Sequence, residues 1–143
     1  MYTFLNQITA DYMTPAPKAV MRDLSLRKLG DLFERDDFNA YPVVDQSQVI
    51  GVVTKFDFLA SFVFTPAHIM PHYEDLMKLT VMEVMTSEFI YVGLDTKLTR
   101  VLELMVSHRI RSMPVIEKDQ RLAGVISRSD VMRALQSCAY NDG

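Results

Sequence analysis

Two short segments of the sequence pair a hydroxyl with an aspartate three residues later: Thr54-Lys-Phe-Asp57 and Ser127-Arg-Ser-Asp130. Each follows an apolar run with a Gly-Val step and precedes a helix-like pattern. At a helix start this spacing is close to a capping box, in which hydroxyl and carboxylate accept hydrogen bonds from backbone amides. The same geometry suits a ligand, because a helix N-terminus attracts phosphate and a carboxylate can accept both hydroxyls of a ribose. The spacing leaves both interpretations open, and neither excludes the other.

Residue types associated with catalysis or metal binding are sparse. His68 and His72 have the four-residue spacing of metal ligands on a helix, but Pro71 lies between them and only nearby acids could add a third ligand. The sequence contains no glycine-rich phosphate loop of the GxxxxGK[ST] or GxGxxG type. We therefore expect no metal site, no catalytic residues and no stand-alone enzyme activity.

The composition limits the function classes further. The chain has 143 residues, 49% of them hydrophobic, and a net charge of −3, which predicts one ordinary domain and gives no reason to expect nucleic acid or an anionic membrane as partner. The single cysteine, Cys138, can form neither an internal disulfide nor a zinc cluster, and we expect it in a frayed C-terminal tail. The N-terminus lacks a signal-peptide pattern, and the apolar runs are far shorter than the roughly 20 residues that span a bilayer. These features predict a soluble, cytoplasmic protein.

The sequence also repeats itself, and the repeat decides the fold class. Three pairs of dipeptides match in the same order along the chain: Met13-Thr14 with Met85-Thr86, Pro42-Val43 with Pro114-Val115, and Gly51-Val52 with Gly124-Val125. Each copy has the pattern β-α-β-β-α over about 60 residues, a unit that buries too little surface to be secure alone. We expect the two copies to pack against each other through their sheet faces.

The same elements are predicted in both copies. A short extended stretch leads to an aspartate, Asp23 or Asp95, which we expect to cap the following helix. The later predicted elements are two β-rich runs and a final helix, at 41–44, 49–53 and 55–62 in the first copy and at 113–116, 122–126 and 128–135 in the second.

The predicted domain boundaries follow the repeats. The first repeat, with an N-terminal segment, occupies 1–64, and the second, with a C-terminal tail, occupies 82–143. Between them, 65–81 contains two prolines and a helix-like stretch at 73–82, so it is predicted to be a connector with its own short helix.

Taken together, the early Met-Thr, the central Pro-Val, and the final Gly-Val-Val-Thr-Lys-Phe-Asp or Gly-Val-Ile-Ser-Arg-Ser-Asp resemble the cystathionine-β-synthase (CBS) domain. Two such domains in tandem resemble a CBS pair, or Bateman module. The resemblance implies an α/β (α+β) fold of two β-α-β-β-α repeats packed with pseudo-two-fold symmetry. It also implies a regulatory module, often a homodimer, that binds AMP, ADP, ATP, S-adenosylmethionine or NAD in clefts between the repeats. Its output would pass to a partner enzyme or transporter.

The resemblance also implies roles for individual residues. Thr54 and Ser127 would contact phosphate or sugar, while Asp57 and Asp130 would hold the ribose, with Ser129 as a further contact. Sites of this family are composite, since the segment that enters one repeat lies near the final helix of the other.

This composite arrangement nominates Thr14 for the Asp130 site and Thr86 for the Asp57 site, where a plain turn cap is the alternative. Arg111 falls where similar proteins place a basic phosphate contact, and its counterpart in the first copy is Asn39. The asymmetry favours phosphate binding at the Asp130 site.

Three alternatives remain at this level. Lys55, Arg128 and Arg111 could form a solvated surface with aliphatic stems rather than a phosphate site. The whole chain could be an interaction module whose motif residues merely cap helices. Nucleic-acid binding would depend only on the short basic cluster around Arg111, so we expect neither nucleic acid nor membrane as a partner.

Overall fold

The computed structural model describes residues 2–15, 17–63 and 73–142. His68, His72 and the first part of the predicted connector lie outside the described residues. Within the described ranges, no helix is long and apolar enough to cross a membrane.

The described elements follow the chain in the order α1 Tyr2–Leu5, β1 Thr14–Pro15, β2 Val20–Met21, α2 Leu26–Asp36, β3 Ala40–Asp45, β4 Gln48–Thr54, α3 Lys55–Ala60, α4 Tyr73–Met77, α5 Val81–Val84, α6 Leu98–His108, β5 Ser112–Ile116, β6 Leu122–Ser127 and α7 Arg128–Asp142. A single 3₁₀ turn, Thr9–Asp11, lies between α1 and β1. The α/β class and the two repeats are confirmed, with the first strand of the second repeat reduced to a single bridge. The four predicted β-rich runs correspond to β3 to β6.

The chain forms two compact units. Residues 18–89 form one unit, named here the Asp57 unit, while residues 1–17 and 90–143 form the other, named the Asp130 unit. The N-terminal segment therefore belongs with the second repeat, because β1 pairs antiparallel with β6 and the Thr9 N–H donates to the Thr96 carbonyl at 2.9 Å. The sequence-based boundaries follow the chain order of the repeats, whereas the compact units follow this pairing.

The Asp57 unit contains a three-stranded sheet in the order β2-β3-β4, with β2 parallel and β4 antiparallel to β3. The turn between β3 and β4 consists of Gln46 and Ser47, both with positive φ (50° and 68°), as two-residue hairpin turns require. Leu26, Leu29 and Phe33 form the buried stripe of α2 and pack with the inward side chains of the sheet.

The Asp130 unit contains a second three-stranded sheet, in the order β1-β6-β5. Its core includes Leu98, Val101 and Met105 of α6. The stretch at 90–92, predicted to be extended, contributes one parallel bridge, between Val92 and Val115, rather than a strand.

The predicted cap residues Asp23 and Asp95 are wrong. The first helix is capped by Ser25, whose hydroxyl accepts from the Lys28 N–H at 3.3 Å, because the helix begins two residues later than expected. The second follows Lys97 with no side-chain cap bond. The sequence pattern predicts both helices correctly, but each begins two residues later than the pattern indicates.

The structure also differs from two other predictions about helices. Cys138 is buried within α7, not in a frayed tail, because Val131, Ala134 and Cys138 continue one apolar stripe into the core. The helix predicted over 73–82 is two short helices, since a new start forms where the Thr80 N–H donates to Glu83 Oε2 at 2.7 Å.

A polar cluster without a counterpart in the second repeat fixes the end of α2. Asp36 Oδ1 accepts from Lys18 Nζ at 2.8 Å and from Arg35 Nε at 3.2 Å, while Oδ2 accepts from the Tyr41 hydroxyl at 2.8 Å. These three hydrogen bonds, that of Lys18 first, hold the pKa of Asp36 well below its usual range. Burial has the largest effect on the pKa of the Tyr41 hydroxyl and raises it, and the hydrogen bond to Asp36 raises it further.

We expect Asp36→Asn to destabilise the Asp57 unit at neutral pH. We also expect the variant to lose less stability than wild type as the pH falls. Because the pKa of Asp36 is lowered on folding, its stabilisation is complete above the ordinary carboxyl pKa and is lost as pH falls toward the lowered value. Urea unfolding at a series of pH values measures both effects. Asp31→Asn, which removes an exposed carboxylate from the same helix, is the control. An acid slope for Asp36→Asn equal to that of wild type would contradict the prediction.

Candidate functional site

Thr54 and Asp57 form a complete capping box at the junction of β4 and α3. The Thr54 hydroxyl oxygen accepts from the Asp57 N–H at 3.0 Å, and the Thr54 N–H donates to Asp57 Oδ2 at 3.0 Å. The capping interpretation is therefore confirmed here. It also orients the carboxylate, because one oxygen is held by the backbone.

Thr86, from the start of the second repeat, lies beside that carboxylate. Its backbone exchanges two 2.9 Å hydrogen bonds with Val52 of β4, and its hydroxyl lies 3.3 Å from Asp57 Oδ1 and 3.4 Å from Oδ2. Both contacts are long for O–H···O bonds, and Thr86 is exposed. The structure thus brings Thr54 and Thr86 to the carboxylate of Asp57, which lies within hydrogen-bond distance of the Thr86 hydroxyl.

The glycine in each Gly-Val step makes room for this approach. A Cβ on Gly51 would lie 2.7 Å from Met85 Sδ and 2.9 Å from the Thr86 carbonyl oxygen. A Cβ on Gly124 would lie 2.6 Å from the Thr14 carbonyl oxygen. The sequence contained both halves of this contact, the Met-Thr and Gly-Val dipeptides, but spacing alone did not link them; a glycine inside a strand was the available signal.

The second motif forms the equivalent box at the start of α7. Asp130 Oδ2 accepts from the Ser127 N–H at 2.9 Å and from the Ser127 hydroxyl at 3.0 Å, while the Asp130 N–H lies 3.3 Å from that hydroxyl oxygen. Asp130 is one of the few buried polar residues described in the chain. Oδ2 is thus held within the motif, and Oδ1 remains for another partner.

That partner is Arg133, which the sequence analysis missed. Its guanidinium donates to Asp130 Oδ1 at 3.2 Å and to the Tyr12 carbonyl at 3.1 Å, and it lies 5.8 Å from the centre of the Tyr12 ring. The i,i+3 spacing of an acid and a base on a helix was the available signal. The corresponding residue of the first repeat is Ala60, so the two carboxylates have different surroundings.

The other predicted residues surround the start of α7 less directly. The Arg128 N–H donates to the Arg111 carbonyl at 2.9 Å, so the backbone of Arg111 adjoins the motif while its side chain is exposed. Ser129 is exposed on the first turn of α7, and Thr14 is exposed and pairs with Val125 of β6.

The first repeat has the same backbone contact with a different side chain. The Lys55 N–H donates to the Asn39 carbonyl at 2.9 Å, and Lys55 Nζ lies 4.0 Å from Asp37. The Asp57 site therefore has an amide where the Asp130 site has the cation of Arg111. Within the described residues, no group of three metal-ligating side chains comes together.

The family model of the CBS domain matches residues 9–63 and 81–137, which include both motifs. The chain belongs to the CBS-domain family. It is a tandem CBS pair, as the sequence resemblance predicted. Among curated relatives, the protein MJ1225 of Methanocaldococcus jannaschii is 24% identical over 133 residues, covering 90% of this chain and 47% of the relative. The chain spans less than half of the length of the first three curated relatives that it matches, at 47%, 22% and 43%.

Solved structures share the fold. The crystal structure of MJ1225 has a TM-score of 0.85 at 23% identity, covering 91% of this CBS pair and 48% of that chain. CBSX2 from Arabidopsis thaliana has a TM-score of 0.82 at 25% identity, covering 94% and 98% of the two chains. A second CBSX2 structure, with a TM-score of 0.80, 24% identity and coverage of 92% and 98%, is in complex with AMP.

The CBS pair of protein MJ0100 has a TM-score of 0.74 at 20% identity, covering 92% and 97% of the two chains. That structure is in complex with 5′-methylthioadenosine and S-adenosyl-L-methionine. CBSX2 and MJ0100 therefore share this fold while holding different adenosine-containing compounds.

Proposed function

We propose that this CBS pair is a regulatory module that binds adenine nucleotides, AMP, ADP or ATP, through the Asp57 and Asp130 sites. The observation that carries the proposal is the carboxylate of Asp57, fixed by its capping box and lying 3.3 Å from the Thr86 hydroxyl. A ribose presents two hydroxyls to such an acceptor, and the Thr86 hydroxyl already lies within hydrogen-bond distance of the same carboxylate.

Relatives support the choice of ligand class. CBSX2 with AMP and MJ0100 with 5′-methylthioadenosine and S-adenosyl-L-methionine have the adenosine moiety in common. A site built around a ribose acceptor fits that shared moiety. S-adenosylmethionine and NAD, which also contain it, are the alternative ligands.

Some of the predicted residues would bind the sugar of the nucleotide and others its phosphate. Asp57 and Asp130 accept the ribose hydroxyls, and Thr54 and Ser127 contact phosphate or sugar with the first amides of their helices. The exposed side chain of Arg111 supplies a cation at the Asp130 site.

The remaining predicted residues line the same two sites. Thr14, Thr86 and Ser129 contribute hydroxyls from their exposed positions. Residues of both repeats meet within each compact unit, so a bound ligand would connect segments that lie far apart in the sequence. The proposal assigns no catalytic role to any residue and involves no metal or obligatory cofactor. It places the protein in the cytoplasm, with an enzyme or a transporter as its partner.

Isothermal titration calorimetry with AMP, ATP, S-adenosylmethionine and NAD tests the proposal. We expect AMP or ATP to bind and to raise the melting temperature, since a ligand at 100 times its Kd stabilises the folded state by about 2.7 kcal/mol. The ligand would shift a conformational equilibrium only by its difference in affinity for the two states. If none of the four compounds binds at millimolar concentration, nucleotide sensing is refuted.

The second candidate is an interaction module in which both motifs only cap helices. Its support is the completeness of the two capping boxes together with apolar side chains left exposed on α3, with Phe56 79% and Leu59 62% accessible. We propose that this face contributes to a homodimer in either case. Light scattering on the calorimetry samples measures the molar mass, and a monomer at micromolar concentration would refute the dimer.

A further inference from the structure

The two ribose-acceptor carboxylates differ in what faces their free oxygen. At Asp57 that neighbour is the uncharged hydroxyl of Thr86, at a long distance of 3.3 Å. At Asp130 it is the guanidinium of Arg133, at 3.2 Å from Oδ1. The first repeat has Ala60 where the second has Arg133, so the difference is encoded at one position of the repeat.

Arg133 is held at Asp130 by more than one contact. The side chain of Asp130 is only 7% exposed, and the guanidinium also donates to the Tyr12 carbonyl at 3.1 Å. Its distance of 5.8 Å from the centre of the Tyr12 ring adds a cation–π contact. Because Tyr12 lies two residues before Thr14, Arg133 connects the carboxylate to the segment that carries another predicted ligand contact.

This arrangement makes the two sites respond differently to the charge of a ligand. An uncharged diol at Asp130 must compete with a charge-assisted hydrogen bond and offers Arg133 no new anionic partner. A phosphorylated nucleoside offers the guanidinium an anion in place of Asp130. At Asp57 the competitor is a neutral hydroxyl, so an uncharged nucleoside meets no such barrier.

We infer that Arg133 is a specificity-determining residue that closes the Asp130 site to uncharged nucleosides and leaves the Asp57 site open to them. The inference depends on the proposed nucleotide binding and assigns each site its ligand class. The Asp57 site accepts adenosine with or without phosphate, whereas the Asp130 site requires phosphate.

Calorimetry with adenosine and with AMP tests this division in the full chain. Wild type is expected to bind one adenosine and two AMP per chain. Arg133→Ala is expected to bind two adenosines, because the free oxygen of Asp130 is no longer occupied. Arg133→Lys retains the positive charge and is expected to behave like wild type.

The reciprocal variant is Ala60→Arg, which places a guanidinium three residues after Asp57 at an exposed position. Adenosine affinity at the Asp57 site is expected to fall by at least about tenfold, the effect of a competing hydrogen bond to a charged group. Melting temperatures of all variants report any loss of folding separately from binding.

The outcomes separate the two proposals. If wild type binds none of AMP, ATP, S-adenosylmethionine and NAD, the proposed function fails. If it binds one of these four but binds adenosine at neither site, the assignment of adenosine to the Asp57 site fails. If wild type binds AMP but Arg133→Ala binds adenosine with the wild-type stoichiometry, or Ala60→Arg leaves adenosine affinity unchanged, the role of Arg133 is refuted while nucleotide binding stands.

Discussion

Replacing Gly124 with alanine is expected to destabilise the Asp130 unit by about 1–3 kcal/mol, the usual cost of adding a carbon to a closely packed position. The new Cβ would lie 2.6 Å from the Thr14 carbonyl oxygen and 2.8 Å from Met13 Sδ. A methionine side chain can move, but the carbonyl belongs to β1, which pairs with β6 through Thr14 and Val125. The collision can therefore be relieved only by shifting β1.

Urea unfolding measures this loss, and the chain provides a matched control. A Cβ on Gly93 would meet nothing closer than Thr96 Oγ1 at 3.8 Å, and its backbone is not in the left-handed region. Gly93→Ala should therefore be neutral or stabilising by up to about 1 kcal/mol. Equal destabilisation by Gly93→Ala and Gly124→Ala would show that the close approach of β1 is not the cause.

Asp57→Asn is expected to weaken AMP binding at the Asp57 site while leaving the fold almost intact. The asparagine amide oxygen can still accept from the Thr54 N–H, as the glutamine amide does at the N3 position of a capping box. The ribose hydroxyls lose a charged acceptor, and hydrogen bonds to charged groups contribute about 1.5–3 kcal/mol, so affinity should fall at least about tenfold.

The control for Asp57→Asn is the capping box of α5, where the Thr80 N–H donates to Glu83 Oε2. Glu83→Gln makes the same change of charge in a similar box outside the predicted sites. We expect calorimetry to show AMP binding that is at least about tenfold weaker at one site for Asp57→Asn and unchanged for Glu83→Gln. Wild-type stoichiometry and affinity in Asp57→Asn would mean that this carboxylate only caps α3.

The internal repeat contributed most to the prediction, because each motif and each predicted element occurs in both copies. Thr54 and Asp57 lie on the predicted turn between β4 and α3, and the predicted capping box is present with both hydrogen bonds. Thr86 followed from the CBS resemblance, which implies composite sites, because its contact with Asp57 joins residues that lie far apart in the sequence. The fold and the motif positions could therefore be read from sequence.

Other features depended on tertiary contacts that spacing does not encode. Ser25 rather than Asp23 caps α2 because backbone pairing sets where the first turn begins: Ser25 bridges with Thr80 and the Leu26 N–H donates to the Leu79 carbonyl at 2.8 Å. The role of Arg133 required the fold that brings Tyr12 to α7, a contact between residues far apart in the chain.

The pairing of residues 1–17 with the second repeat also determines the order in which the chain can fold during synthesis. Residues 18–89 form one contiguous unit, so its strands and helices are all available once that stretch has left the ribosome. The first 17 residues leave earlier, but the strand that pairs with β1, Leu122–Ser127, is made only after residues 18–89. During synthesis, β1 therefore lacks its partner strand β6 until after the whole of residues 18–89 has been made.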